Sequence, residues 1–315
     1  METAINTKIS KKTKLKRNLS IIRKDWQLYS LLVLPLIYYL VFKYGPMIGN
    51  VIAFRRFRPG GPVLGTEWVG LKYFNMFIHD STFWQVFKNT LTLSGLSLII
   101  GFPIPIIFAL LLNELKGNKF KRFVQTASYL PHFLSTAIVA GMIMEILSPS
   151  SGVINMIIKS LGGKTINFLS EPGWFRTIYV SSGIWQGMGW GAILYLAALS
   201  NINMELYESA KIDGANRWKQ TLHITIPGIL PTVVTLLILN IGGLLGVGFE
   251  KIMLLYNPLT YSTADVISTY LYRLGLQSSN FSYATAIGLF EAIIGLILVY
   301  SANLVSRKLT ENSLW

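Results

Sequence analysis

The chain has 315 residues, of which 52% are hydrophobic and only 13% are charged. Soluble domains average about 25% charged residues. Here, apolar runs of about 20 residues recur, and each is long enough to cross about 30 Å of hydrocarbon. This pattern excludes a soluble enzyme, and the continuous runs indicate helices rather than a barrel. Because the chain contains no cysteine, it also excludes disulfides and thiol chemistry.

The net charge of +14 would suggest a nucleic-acid partner in a soluble chain, but its distribution here favours membrane topology without nucleic acid. Residues 1–26 are polar and carry eight basic side chains. A cleaved secretory signal has a short apolar core, whereas the apolar run that follows this tail is too long. We therefore interpret the tail as uncleaved and cytoplasmic, with affinity for anionic lipid.

The hydrophobic pattern predicts an all-α membrane protein with six spans. Residues 54–85 form a polar, aromatic connector, and residues 114–123 form a basic loop. The long connector 250–282 contains a segment, 263–274, that we predict to be an interfacial helix. The predicted spans are 28–52, 86–112, 124–147, 178–199, 230–249 and 283–305, with Pro35 and Pro46 bending the first.

The lysines and arginines predict the orientation of the chain. The N-terminal tail, the second and fourth loops and the C-terminus hold 17 basic residues, whereas the opposite side holds nine. The positive-inside rule therefore places both termini and the fourth loop in the cytoplasm. The predicted domains are a basic tail at 1–26, a membrane domain at 27–308 with a cytoplasmic loop at 200–231, and a short cytoplasmic tail at 309–315.

A charged insert interrupts the apolar runs at residues 203–231. Residues 203–212 favour a helix, and Gly214 suits the left-handed conformation that ends one. Asp213 is predicted to cap a second helix at about 216–226, which Pro227 and Pro231 end or kink. The result is a two-helix elbow at the membrane surface, on which a soluble partner can dock.

The elbow resembles the "EAA" loop of permease subunits of binding-protein-dependent ABC importers. The resemblance is carried by Glu208-Ser209-Ala210, Asp213-Gly214-Ala215, Ile224 and Pro227. Apart from its basic tail, the whole chain resembles sugar permeases of the maltose-transporter type. It is most similar to the subgroup that imports larger oligosaccharides, including alginate and uronate oligomers.

The resemblance implies a type I importer permease fold and a coupling role for the elbow. Glu208 matches the acidic residue that contacts the ATPase, and Gly214 matches the turn glycine. Ser209 replaces the usual alanine, and Thr221 stands where many members have phenylalanine; a nearby apolar side chain is expected to serve as the anchor. The expected coupling residues are Glu208, Ser209, Ala210, Asp213, Gly214, Ala215, Trp218, Leu222 and Pro227.

The resemblance also implies a location in the lipid bilayer of a bacterial plasma membrane. The implied partners are a second homologous permease, two ABC ATPase subunits, and an extracellular sugar-binding protein that delivers an oligosaccharide to the outward-facing cavity. The sequence contains no phosphate-binding GxxxxGK[ST] motif and no clustered metal ligands. We therefore expect no catalytic residue, cofactor or metal in this chain, with ATP and Mg²⁺ bound by the ATPase subunits.

The fourth span suggests part of a substrate path. Gly183, Gly187 and Gly191 are spaced by four, which places them on one helix face and permits close helix packing. Gln186 and Trp190 flank this ladder one turn apart. An amide beside an indole suits a sugar, because hydroxyls bond the amide and the sugar ring stacks on the indole. The alternative is a packing interface with one interhelical hydrogen bond.

Two polar residues in the last two spans are also predicted to face inward. Asn240 lies near mid-depth of the fifth span, and Glu291 is the only carboxylate well inside an apolar run. Such groups are costly in lipid unless they face protein or a water-filled path. Both are candidates for the substrate path. For Glu291 the alternative is a structural ion pair.

Other function classes remain open at this stage. An ion-coupled secondary carrier would need coupling carboxylates within its spans, and Glu291 by itself gives little support for such a carrier. A non-transporting scaffold or receptor subunit would leave the elbow without a coupling role. A permease for amino acids or peptides is a further alternative within the ABC importers. The opposite side's nine basic and five acidic residues suit an acidic oligosaccharide or an acidic binding-protein surface equally, and they assign no substrate.

Overall fold

The computed structural model describes the backbone of residues 24–310 and the side chains of residues 24–307. Nearly all of the two predicted tails, 1–26 and 309–315, therefore lies outside the described residues. The described part is built from helices and turns with one isolated β-bridge. In chain order the helices are α1 Trp26–Phe54, α2 Lys72–Ile78, α3 Ser81–Glu114, α4 Asn118–Phe133, α5 Thr136–Ile146, α6 Val153–Ser160, α7 Pro172–Ser200, α8 Met204–Ile212, α9 Arg217–Gly242, α10 Phe249–Leu255, α11 Tyr261–Ala264, α12 Ile267–Tyr272 and α13 Phe281–Thr310.

Each predicted span overlaps a long helix or a bent pair of helices. Among the described residues, α1, α3, α9 and α13 are continuous and are long and apolar enough to cross a membrane. The bent pair α4 and α5 makes a fifth span if it is counted as one. The helix at the fourth predicted span, α7, has 29 residues and extends about 43 Å at 1.5 Å per residue. Its glycines and polar residues make it less apolar than the others.

The third predicted span, 124–147, is not one straight helix. Its two halves, α4 and α5, meet at an angle of 100°. Pro131 lies in a 3₁₀ turn at the end of α4, and the Ser135 side chain accepts a hydrogen bond from the Ile138 N–H at 3.3 Å, which caps α5. A proline and a capping serine thus end one helix and start another within an apolar run. The amphipathic helix α4 also begins at Asn118, within the predicted basic loop.

The elbow helix does not end before the fifth span. The chain is helical from Arg217 to Gly242, although Pro227 and Pro231 were expected to end or kink the elbow helix. A π turn at Thr221–Thr225 immediately precedes the first of these prolines. This wider turn accommodates a residue that lacks an N–H donor. The elbow and the fifth span are therefore one continuous helix.

The fifth span ends earlier than predicted. The helix stops at Gly242 instead of residue 249, and residues 243–248 are non-helical. Glycine has a low helix propensity, and glycines recur through this stretch. Phe249 and Glu250, expected at the end of the span, instead begin the short helix α10.

The helices pack around α7, which contacts α3, α4, α9 and α11. One core cluster joins Ala109 of α3, Ala192 and Tyr195 of α7, and Ile229 of α9. A second joins Ala53 at the end of α1 with α2, α3, α12 and α13, and a third lies around α10. In α1, by contrast, no residue from Trp26 to Tyr44 is buried within the chain. This packing makes α7 the central helix and leaves the first part of α1, Trp26–Tyr44, at the periphery.

Candidate functional site

A cavity of about 550 Å³ lies between α3, α7, α9 and α10. The non-helical stretch 243–248 contributes backbone to its wall. Irregular backbone is tolerated at membrane depth only where it lines a cavity or is covered by protein. A volume of this size lies within the range of small-molecule binding sites. The cavity is therefore the candidate binding site of the chain.

The predicted glycine ladder faces this cavity. Gly183, Gly187 and Gly191 all line it. A methyl group on Gly191 would stand 3.1 Å from Pro105, whereas one on Gly187 would meet nothing within 4 Å. The ladder therefore permits close helix packing at one position and leaves open space at another.

Two of the four predicted substrate-path residues, Gln186 and Asn240, line the cavity. The Gln186 amide donates a hydrogen bond to the Leu134 carbonyl at 3.2 Å. The Asn240 amide donates to the Leu236 carbonyl of its own helix at 2.8 Å. Asn240 does not lie at mid-helix, as the longer predicted span implied, because α9 ends two residues later.

Trp190 does not line the cavity. Its ring stacks on His132 with centroids 4.5 Å apart and meets Phe133 edge-on at 5.6 Å. It shares a helix face with Gln186, as the spacing of four predicted, but that face packs against the bend between α4 and α5. For Trp190 the geometry therefore favours a role in packing between helices over contact with a substrate.

Glu291 lies in α13 and is not part of the cavity wall. Its side chain is half-buried. Among the residues described, no basic side chain forms an ion pair with it. Within the described chain Glu291 therefore lies outside the cavity wall and forms no ion pair, and its role in the substrate path or in contact with a partner permease stays a prediction.

The sequence analysis missed Lys251, which lines the cavity from α10. Only 9% of its surface is exposed. Its ammonium group donates to the Tyr179 carbonyl at 3.1 Å and lies 5.0 Å from the centre of the Tyr179 ring. Burial lowers the pKa of Lys251 to about 8. The available signal was a lysine that follows a glycine-rich stretch and precedes Ile252 and three further apolar residues.

Two hydrogen bonds hold the non-helical stretch against its neighbours. The Ser94 hydroxyl of α3 donates to the Leu244 carbonyl. The Gly248 N–H donates to the Tyr179 hydroxyl at 3.1 Å. Tyr179 thus contacts both this stretch and Lys251, which fixes one end of the cavity wall.

The predicted elbow is present at the other end of α7. The Asn203 side chain caps α8 by accepting from the Glu205 N–H at 3.0 Å. Gly214 has φ of 74°, and the Ala215 N–H closes the turn on the Ala210 carbonyl at 2.8 Å. The left-handed turn is therefore as predicted.

The predicted cap of the second elbow helix is wrong. The Asn216 side chain accepts from the Lys219 N–H at 2.9 Å and caps α9, whereas Asp213 ends α8. Asp213 directly precedes the left-handed Gly214, so it lies on the far side of the turn from α9. Asn216 adjoins the first helical residue, where a cap is needed.

The elbow is tied to the bundle but presents an exposed surface. Arg217 forms an ion pair with Glu114 at the end of α3, at 2.8 Å. Apolar side chains on its outer side remain uncovered, with Ile212 87% and Trp218 74% exposed. Glu208, Ser209, Leu222 and Pro227 are also exposed, whereas Ala210 and Ala215 are half-buried. Exposed apolar groups beside charges are typical of a protein-binding surface.

Residues 101–311 match the family described as the binding-protein-dependent transport system inner membrane component. The chain belongs to this family. It is therefore a permease component of a transport system, which confirms that part of the sequence interpretation.

The permease is similar along nearly its whole length to proteins of known role. It is 46% identical to the polygalacturonan/rhamnogalacturonan transport system permease protein YteP of Bacillus subtilis, over 99% of this chain and 97% of that protein. It is 33% identical to the arabinooligosaccharides transport system permease protein AraP of the same organism, over 86% and 84%.

Solved structures confirm the fold of the permease. It is 48% identical, with a TM-score of 0.86, to a chain of a bacterial ABC transporter involved in the import of the acidic polysaccharide alginate, covering 93% of this chain and 99% of that one. A complex of a bacterial alginate ABC transporter with an alginate pentasaccharide-bound periplasmic protein gives 47% identity and a TM-score of 0.87, covering 94% and 99%. The predicted all-α, type I importer permease fold is confirmed.

Proposed function

We propose that this permease is the membrane subunit of an ATP-driven importer that takes up an acidic oligosaccharide delivered by an extracellular binding protein. The observation that carries the proposal is the identity of 46–48% with permeases whose names specify polygalacturonan or alginate. Both polymers consist of sugar acids. The cavity adds a binding volume with amide groups from Gln186 and Asn240, which suit sugar hydroxyls.

The elbow is the surface that meets the ATPase subunits. Glu208 supplies a negative charge, and Trp218 and Ile212 supply exposed apolar contacts. The unbroken helix α9 joins this surface to the cavity, where Asn240 lies. Movement of the docked elbow is thus transmitted along one rigid element to the cavity wall. ATP and Mg²⁺ bind the ATPase subunits, so this chain converts their closure into access to the cavity.

The orientation follows from the Lys and Arg bias. The elbow, the 1–26 tail and the 309–315 tail lie on the cytoplasmic side of the bacterial membrane, where the ATPases are. The membrane domain, 27–308, carries the coupling loop at 200–231. A second homologous permease completes the membrane assembly. Helix α1, whose apolar residues are exposed in this chain, is covered by lipid or by that partner.

Reconstitution tests the proposed function. The permease is purified with its partner permease, ATPases and binding protein, placed in liposomes, and supplied with oligogalacturonate, alginate pentasaccharide, arabino-oligosaccharide or a peptide. We expect ATP-dependent uptake of an acidic oligosaccharide. Uptake of the peptide alone, or uptake driven by an ion gradient without ATP, would contradict the proposal.

A matched pair of proline variants tests the coupling role in the same system. Gly214 and Gly162 both have positive φ, 74° and 83°, which proline cannot adopt. Gly162 lies in the loop that precedes α7, away from the elbow. We expect Gly214→Pro to lose the ATPase subunits during purification and Gly162→Pro to retain them. Retention of the ATPases and of uptake in Gly214→Pro would contradict the assigned docking surface.

A further inference from the structure

Lys251 presents a charge that the protein itself does not neutralise. Among the described residues that line the cavity, it is the only one with a charged side chain. The described ion pairs join other residues, so no carboxylate of the described chain forms an ion pair with it. A buried cation without a counter-ion is costly. Its retention beside a cavity suggests that the counter-ion arrives from outside.

The contacts of Lys251 aim its ammonium group at the glycine ladder. The group carries three N–H donors, and one of them bonds the Tyr179 carbonyl at 3.1 Å. The Tyr179 ring occupies one side at 5.0 Å. A methyl group built on Gly183 would stand 3.7 Å from the ammonium nitrogen. Because Gly183 has no side chain, the space on this side stays open to the cavity.

We propose that Lys251 is a specificity-determining residue that binds a carboxylate of the transported oligosaccharide at the Gly183 face of the cavity. An ammonium and a carboxylate form a charge-assisted hydrogen bond, which is stronger than the bond of a neutral pair. Neutral sugars offer no such group and leave the cation unpaired, so the site favours acidic sugars. This inference rests on the proposed function, because it requires that the permease carry an acidic oligosaccharide.

The alternative role for Lys251 is structural, since its bond to Tyr179 ties α10 to α7. Two pairs of variants separate the roles. Lys251→Met removes the charge, and Lys251→Arg keeps it. At the second position, Gly183→Asp places a carboxylate within reach of the ammonium, and Gly183→Asn adds an uncharged side chain of the same size. If Lys251 acts only by packing, the Asp and Asn variants will behave alike.

The experiment measures ATP-dependent uptake of oligogalacturonate by the complete importer in liposomes, with assembly checked by size-exclusion chromatography. We expect Lys251→Met and Gly183→Asp to lose at least about tenfold in uptake, because a hydrogen bond to a charged group is lost. Lys251→Arg should keep more uptake than Lys251→Met, and Gly183→Asn should keep more than Gly183→Asp, because in each pair the first variant leaves the positive charge available to the substrate. Lys159→Met, at an exposed lysine of α6, serves as the control for a cation outside the cavity.

If the variants at one position fail to assemble, the pair of variants at the other position still tests the role of Lys251. Equal uptake by Gly183→Asp and Gly183→Asn, or wild-type uptake by Lys251→Met, would overturn the role of Lys251. Failure of the wild type to take up any acidic oligosaccharide would instead overturn the proposed function, and it would do so before any variant is compared.

Discussion

At the scale of single residues, identity alone did not determine the role of a polar group. Gln186 and Trp190 were assigned together from their spacing, yet only Gln186 lines the cavity, while Trp190 stacks on His132. Lys251 was counted as one of nine bases on one side of the membrane and proved to be a buried cavity residue. Trp190 packs against the bend between α4 and α5, and Lys251 reaches the cavity because of the position of α10. The spacing of residues along a helix predicts neither feature.

Glu208 permits a residue-scale prediction about coupling. We expect Glu208→Lys to reduce co-purified ATPase at least about tenfold, because a like charge replaces a complementary one at the docking surface. Glu205→Lys is the matched control, since Glu205 is an exposed acid on the same helix α8. The measurement is the ratio of ATPase to permease after affinity purification. Equal loss from both variants would point to a general effect of net charge.

Lys251 permits a prediction about pH. Burial lowers its pKa from 10.5 to about 8, so between these values the unfolded chain binds more protons than the folded one. The free energy of unfolding should therefore rise as the pH increases from 8 to 10.5. Thermal unfolding of the purified protein across this window measures the rise, and Lys251→Met should reduce it. An unchanged slope in that variant would assign the pH dependence to other groups.

At the scale of elements, the predicted positions of helix ends and breaks were the least accurate. The second span begins at Ser81 rather than Val86, because the Asp80 side chain caps it by accepting from the Thr82 N–H at 2.8 Å. The interfacial helix predicted at 263–274 divides into α11 and α12, with Asp265 between them. There Asp265 forms an ion pair with Arg273. Caps and ion pairs of this kind determine where a helix ends, whereas the hydrophobic pattern predicts only that a helix is present.

The packing of α7 against α4 gives an element-scale prediction. A methyl group on Gly189 would stand 2.2 Å from the Ser128 carbonyl oxygen, whereas one on Gly187 would meet nothing within 4 Å. Gly189→Ala should therefore force the two helices apart and lower thermal stability by about 1–3 kcal/mol, as overpacking does. Gly187→Ala, on the same helix, should leave stability within about 0.5 kcal/mol. Similar melting curves for the two variants would contradict this close approach.

At the scale of the whole molecule, the chain places the two proposed functional regions at separate positions along one helix. Helix α9 begins in the exposed elbow and ends beside the cavity. The central helix α7 runs from the loop before Pro172 to the segment that precedes the elbow. Since α1 buries no residue from Trp26 to Tyr44 within the chain, lipid or another subunit must cover this apolar segment.

The absence of cysteine allows a whole-molecule test of orientation. Single cysteines are placed at Ser209 in the elbow and at Lys164 in the loop before α7, both of which are exposed. In intact cells, a membrane-impermeant maleimide should label Lys164→Cys at once and Ser209→Cys only after permeabilisation. The reverse pattern would place the elbow outside, where no cytoplasmic ATPase can reach it.

The sequence by itself determined the class of the molecule, its helical spans and the turn of the elbow. These features follow from local causes: apolar runs exclude a soluble fold, and Gly214 suits the left-handed turn. Only the tertiary structure decided the bend at Pro131, the continuity of α9 through Pro227, and the assembly of Gln186, Asn240 and Lys251 around one cavity. The cavity depends on contacts between helices far apart in the chain, which no pattern within one segment contains. The bend and the continuity of α9 depend on a 3₁₀ turn at Pro131 and a π turn at Thr221–Thr225, which hydrophobic periodicity does not predict.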